Sequence, residues 1–180
     1  MFFNFKEYLE YDLELDREKI IAFNKQLIDE YPFLLPRNRF SDKVAEDYDY
    51  TYTELIDMPD GWLIAFGNNL LKELKDELIK LNCLDKYRIE QIKEKYGELR
   101  WYGSFYTDTA EKYCDISRLV CQHCGKQAKV MTKGWISYLC EDCYSNLFGG
   151  RLGQDKVILD ETKQKRYEEA QCSLDNYDEV

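Results

Sequence analysis

Four cysteines carry the clearest chemistry in this sequence. Cys121 and Cys124 form one C-x-x-C pair and Cys140 and Cys143 a second, with fifteen residues between the pairs. Each such turn points two sulfurs inward, and an intervening stretch of this length can return as a β-hairpin to complete a tetrahedron. The expected occupant is a structural Zn2+ ion. Four thiolates leave no position for an activated water, so a catalytic metal is not expected. Gly125, directly after the second ligand, suits the tight turn in which N–H groups donate to sulfur. His123 is the only histidine in the chain; two complete cysteine pairs make it superfluous as a ligand, and it is expected to face solvent. A redox pair needs only one C-x-x-C and a thioredoxin-like setting. Cys83 and Cys114 fall in helical or helix-end patterns and read as half-buried packing residues, while Cys172 lies in the tail. None has a histidine partner, which excludes a Cys-His nucleophile.

The elements that position these cysteines can be read from periodicity. Asp16 can cap a helix starting near Arg17, with Ile20, Phe23, Leu27, Ile28 and Tyr31 at helical spacing until Pro32. Pro32 and Pro36 hold the following stretch extended. In residues 46–53, Tyr48, Tyr50 and Tyr52 alternate with Asp47, Asp49, Thr51 and Thr53, the pattern of a strand with three rings on one face. Met58-Pro59-Asp60-Gly61 is turn chemistry leading into the core helix, where Trp62, Phe66, Leu70, Leu74 and Leu78 recur every four residues. Between Tyr87 and Tyr102 the period becomes two, and a hairpin turning near Gly97 follows. Gly103 to Asp108 reads as a polar loop, and a helix from about Thr109 to Leu119 delivers the chain to Cys121. Lys129–Thr132 and Trp135–Leu139 read as the ribbon strands, with Lys133-Gly134 at the turn. Gly149-Gly150-Arg151-Leu152-Gly153 is joint-like, Val157-Ile158-Leu159 a short apolar anchor, and the rest a charged tail, partly helical or disordered.

The expected fold class is therefore α+β: a helical N-terminal part with a core helix and β-hairpin, followed by a C-terminal four-cysteine zinc ribbon. Residues 1–120 form the acidic α+β domain, 121–148 the ribbon and 149–180 the linker and tail. Apolar runs as short as Trp62-Leu63-Ile64-Ala65-Phe66 exclude a membrane helix. The opening Met1-Phe2-Phe3-Asn4-Phe5-Lys6-Glu7 has neither the basic region nor the long apolar stretch of a secretion signal. Seven cysteines, an odd number, suit a reducing compartment, so the cytoplasm is expected.

The net charge of −10 is uneven: residues 1–60 hold 15 acids against 7 bases, residues 61–120 ten of each, and residues 121–180 ten acids against 8 bases. An acidic surface repels phosphate backbones and attracts basic partners. In the ribbon, Lys126, Lys129 and Lys133 against Glu141 and Asp142 give +1, and a zinc with four thiolates brings this near −1. That is not the basic patch nucleic acid asks for. A local basic strip does exist, with Arg88, Lys93, Lys95 and Arg100 interleaved with Tyr87, Tyr96, Trp101 and Tyr102. It could stack bases, although Glu90, Glu94 and Glu98 point instead to cross-strand ion pairs. The sequence has no P-loop, no G-x-S-x-G and no dinucleotide glycine pattern, and no spacing selects any pair of carboxylates. An enzyme is not expected.

Three segments, Tyr48-Asp49-Tyr50-Thr51-Tyr52-Thr53-Glu54-Leu55, Met58-Pro59-Asp60-Gly61-Trp62 and the run from Gln91 to Tyr102, precede the cysteine pairs in that order. Together they resemble a family of small uncharacterised zinc-ribbon proteins of phages and prophages, over about residues 30–145. The resemblance implies a mobile-element context and, if the chain is phage-encoded, the host cytoplasm; it implies no activity and no catalytic residues. The function expected from the whole is a zinc-stabilised, non-enzymatic interaction protein whose acidic surface binds a host protein. Asp47, Tyr48, Asp49, Tyr50, Tyr52 and Glu54 are its candidate contacts. Such a surface can occupy a basic nucleic-acid groove, as DNA-mimicking inhibitors of bacterial defence do. The alternative is a zinc-ribbon nucleic-acid binder or transcription accessory protein using Arg88, Lys93, Lys95, Arg100 and Trp101.

Overall fold

The longest apolar stripe in the sequence becomes the axis of the molecule. In the computed structural model of the chain, helix α3 (Asp60–Lys80) buries Trp62, Leu63, Phe66, Leu70, Leu71, Leu74 and Leu78. Each of these side chains contributes roughly 1.5–3 kcal/mol by leaving water, so this helix dominates the core. The described residues are 2–38, 40–149 and 156–159, with Thr162, Lys165, Arg166, Glu168 and Glu169. The readings of the joint at 149–153 and of the tail, Cys172 included, lie almost wholly outside them.

Two shorter helices precede α3. Helix α1 (Phe5–Tyr8) is capped by Asn4, whose side chain accepts from the Glu7 N–H. Helix α2 (Arg17–Glu30) starts after Asp16 as expected, but the Asp16 side chain makes no cap bond. It turns back instead to accept from the Asp12 N–H at 3.2 Å and to pair with Lys19 at 2.7 Å. Phe3, Phe5 and Tyr8 pack around Phe23 of α2, the Tyr8 ring stacked at 4.4 Å.

After α3 comes the expected hairpin. Strand β1 (Ile89–Lys95) pairs antiparallel with β2 (Glu98–Gly103), Ile92 opposite Trp101 and Lys95 opposite Glu98. Its two-residue turn has Tyr96 at φ 56° and Gly97 at φ 80°. This left-handed pair matches the twist of the strands. Helix α4 (Asp108–Ser117) packs beside β2 and α3. Its first N–H groups are capped from outside, since Glu77 of α3 accepts from Asp108 N and Thr109 N, both at 2.9 Å.

The C-terminal module is smaller. Strand β3 (Val130–Thr132) pairs with β4 (Tyr138–Leu139), and helix α5 (Glu141–Phe148) starts within the second cysteine pair, after Cys140, and carries Cys143. The strand expected from Trp135 begins only at Tyr138. The Thr132 hydroxyl bridges the loop by donating to the Trp135 carbonyl (2.6 Å) and accepting from Ser137 N (2.8 Å), and Trp135 projects into solvent. The apolar anchor is a third strand, β5 (Lys156–Ile158), which pairs with the other edge of β3 and places Leu159 against Ala128 and Tyr138. The C-terminal sheet, in strand order β4-β3-β5, therefore extends past residue 148, into the segment read as linker and tail.

Residues 46–53 do not form the expected strand. Tyr50 sits at φ 66°, and the Asp49 carboxylate accepts from both the N–H (3.1 Å) and the hydroxyl (2.6 Å) of Thr51. This side-chain turn competes with an extended backbone and wins. Asn24 of α2 fixes the result by donating to the Tyr50 carbonyl at 2.8 Å.

Candidate metal centre

The sulfurs of Cys121, Cys124, Cys140 and Cys143 all lie within 4.8 Å of one another, with Cys124 and Cys140 3.6 Å apart. A tetrahedron of Zn–S bonds of about 2.3 Å sets its sulfurs about 3.8 Å apart, so the cluster has the size of a tetrahedral metal site. Among the described residues it is the one group of three or more such donors close enough to hold an ion. Cys121 and Cys140 are buried, Cys124 and Cys143 half-buried, and all four are free thiols.

Local backbone geometry builds the two knuckles. At the first, Gly125 adopts φ 77° and its N–H donates to the Cys121 carbonyl at 3.0 Å, while the Cys121 N–H donates to the Lys126 carbonyl at 2.7 Å. At the second, Cys140 is the N-cap of α5, and the Cys143 N–H donates to its sulfur at 3.4 Å. Burial pushes the Cys124 and Cys143 thiols up. Burial also acts on Cys140, but hydrogen bonds from the Cys143 N–H and the neighbouring thiols outweigh it and hold Cys140 below its ordinary value. Bare thiols packed this closely resist joint ionisation, and a cation at their centre removes the conflict. His123 faces solvent, as expected, and is not among the donors.

The site is pressed onto the rest of the protein. The Gly61 N–H at the start of α3 donates to the Gln122 carbonyl at 2.9 Å, and the Trp62 indole N–H donates to the Val120 carbonyl at 3.3 Å. A Cβ on Gly61 would lie 2.1 Å from the Cys121 carbonyl oxygen, and one on Gly97 would lie 2.7 Å from the Tyr138 ring. The boundary between residues 120 and 121 is therefore crossed by tight contacts on two sides.

The other candidate residues separate. Asp47, Asp49 and Tyr52 are exposed; Tyr48, Tyr50 and Glu54 are half-buried. The three tyrosine rings do gather, with centroids 4.9 Å (Tyr48–Tyr50) and 5.3 Å (Tyr48–Tyr52) apart, through the turn rather than a strand face. Asp49 is engaged by Arg17 at 2.6 Å. Further exposed acids that the alternating pattern did not single out, Glu10, Asp12, Glu14 and Glu18, lie at and before the start of α2.

The basic strip also divides. Arg88 turns away to Asp42 (3.2 Å) and to the Asp85 and Tyr87 carbonyls. Trp101 is buried and donates its indole N–H to the Tyr87 hydroxyl at 3.0 Å. Lys93 sits opposite Arg100 across the hairpin, and its ammonium lies 5.2 Å from the Tyr102 ring centre. Lys95 and Arg100 line an open groove of about 560 Å³ between β2 and α4, together with Tyr96, Tyr102, Phe105 and Tyr106. The polar loop expected at residues 103–108 contributes Phe105 and Tyr106 to this surface, and that aromatic pair is its one sequence signal.

No helix among the described residues is long and apolar enough to cross a membrane. No protein-family model, no curated protein and no solved structure matches this chain.

Proposed function

We propose that this chain is a non-enzymatic interaction protein whose shape is held by a structural zinc ion and whose acidic N-terminal third binds a partner protein. The single observation that carries the reading is a donor set of four sulfurs only, two of them on buried and two on half-buried cysteines, beside the start of α3. Cys121, Cys124, Cys140 and Cys143 would hold the ion, and with all four bound no site is left for water or substrate. The ion supplies cross-linking there, and the chain's own residues supply recognition.

The partner is a protein with a basic surface, and a host nucleic-acid enzyme is the favoured class. The resemblance of residues 30–145 to phage zinc-ribbon proteins supports a phage origin and, with it, inhibition of a bacterial defence system in the host cytoplasm. The charge distribution supports an acidic contact surface, since residues 1–60 hold 15 acids against 7 bases.

The test is affinity capture from a bacterial host lysate at low and high salt. Wild type is set beside a variant carrying Glu14→Gln, Glu18→Gln and Asp47→Asn, which spares the Asp49–Arg17 pair. A discrete host protein that is retained at low salt, released at high salt and lost with the variant supports the proposal. Equal retention by both proteins, or none by wild type, defeats it.

A further inference from the structure

The groove between β2 and α4 combines features that neither the zinc site nor the acidic surface explains. Tyr96, Tyr102 and Tyr106 are 66%, 43% and 68% exposed, so three rings meet water around one concavity. Clustered exposed aromatics on a protein surface mark a binding site. Its buried side is Trp101 hydrogen-bonded to Tyr87, with Phe105 edge-on to Tyr87 at 5.0 Å. Thr107, 2% exposed, also lines it beside the Tyr87 hydroxyl, and its own hydroxyl makes no hydrogen bond of good geometry.

Charge around the groove runs against the acidity of the chain. Arg100 lines the groove and pairs with Glu98 at 2.5 Å; Glu98 also meets Arg118 at 3.0 Å, which Asp115 pairs at 2.7 Å. Lys95 adds a further cation on the lining, and Lys93 stands over Tyr102. At the α4 side the Glu111 carboxylate accepts from the Tyr106 hydroxyl. Rings to stack on, cations at one side and a hydrogen-bond acceptor at the other match a planar base with an attached phosphate.

We infer that this groove binds a nucleotide unit, its base stacked on Tyr102 and Tyr106 and its phosphate facing Lys95 and Arg100. The unit can be a free mononucleotide or part of a single strand. The groove's lining includes none of residues 1–60, so either assignment can fail without the other.

Isothermal titration of the metal-loaded full chain tests the inference with three probes: uridine monophosphate, pentathymidylate and inorganic phosphate. The two nucleotide probes are expected to bind and phosphate alone not to. Affinity for pentathymidylate at least tenfold above the mononucleotide identifies single strands as the source; equal affinity identifies free nucleotide. Tyr102→Ala and Tyr106→Ala should each weaken binding by roughly 5- to 150-fold. Lys95→Gln with Arg100→Gln should weaken it and flatten its salt dependence. Leu15→Ala, at an exposed residue before α2 that does not line the groove, should leave it unchanged. The Trp101 indole N–H resonance checks that each variant keeps the groove folded. The inference is overturned if neither nucleotide probe binds at millimolar concentration, if phosphate binds as well as nucleotide, or if the double variant Tyr102→Ala/Tyr106→Ala binds like wild type.

Discussion

Replacing Gly61 by alanine should force the first metal knuckle away from α3. The added Cβ would stand 2.1 Å from the Cys121 carbonyl oxygen and 2.6–2.7 Å from the Gln122 carbonyl, all backbone atoms that no rotamer change can move. Reaching even 3.0 Å requires a retreat of about 0.9 Å, the difference between those two distances. That retreat would stretch the Gly61 N–Gln122 O bond from 2.9 Å to beyond hydrogen-bonding range. Overpacking costs about 1–3 kcal/mol, and a buried bond left unmade about 1–3 kcal/mol more. Alanine's better helix propensity returns about 1 kcal/mol. The net loss is about 1–5 kcal/mol, or roughly 2–20 °C in Tm for a chain of this size. Thermal denaturation of the metal-loaded protein measures it, and chelator-induced metal release should accelerate in parallel. Gly134→Ala is the control: it has φ 81° but nothing within 4 Å of a new Cβ, so only backbone strain of about 1 kcal/mol applies. If Gly61→Ala melts at or above wild type, the knuckle is not seated on α3 as described.

Further outcomes follow from the same contacts. Cys140→Ser should abolish stoichiometric metal, whereas Cys83→Ser, whose sulfur only donates to the Leu78 carbonyl at 3.6 Å, should retain one ion per chain by elemental analysis. Tyr87→Phe removes the acceptor for the buried Trp101 indole N–H and should cost about 1–3 kcal/mol in urea denaturation. Glu77→Gln should cost about 0.5–2 kcal/mol by weakening the cap on α4. Burial pushes the Glu77 carboxyl up, but hydrogen bonds from Thr109 and Asp108 outweigh it and hold it below its ordinary value. A depressed folded value means this stability is present above the unfolded carboxyl range near pH 4–4.5 and is lost as pH falls through the folded value. The gap between wild type and Glu77→Gln should therefore narrow on acidification below about pH 4; a constant gap would contradict the cap.

Much of this architecture was legible because it is local. The i, i+4 stripe of Trp62, Phe66, Leu70, Leu74 and Leu78 can only be a buried helix, and Gly97 between two alternating runs marks its hairpin turn. The cysteine spacing likewise specifies its own cluster. The failures lie where side chains or distant segments decide. Alternation at Tyr48, Tyr50 and Tyr52 promised a strand, but the Asp49–Thr51 turn and the hold of Asn24 on Tyr50 override a preference worth under about 1 kcal/mol. Trp101 alternates correctly on β2 yet faces the core, because its partner Tyr87 lies before the hairpin. The groove joins β2 to residues 105–114, and β5 finds β3 across more than twenty residues. No local pattern encodes either pairing.

The order of motifs along the chain acquires a physical meaning at the metal loop. Gly61 and Trp62 reach it through the Gln122 and Val120 carbonyls. On the opposite side, Gly97 lets the hairpin turn close on Tyr138, whose carbonyl accepts from Gln122 N at 3.1 Å. The next two residues extend the junction: Glu98 pairs with Arg118, and the Leu99 N–H donates to the Ser117 hydroxyl at 2.9 Å. Each of these small or hydrogen-bonding residues makes a contact with residues 117–138, beyond its own element. Metal removal should therefore loosen more than the ribbon. Chelation is expected to raise amide exchange at Gly61 and Leu99 together with Gln122, while Leu71 and Leu74 in mid-α3 stay protected. Exchange confined to residues 121–159 would mean instead that the ribbon unfolds alone and the junction is only a surface contact.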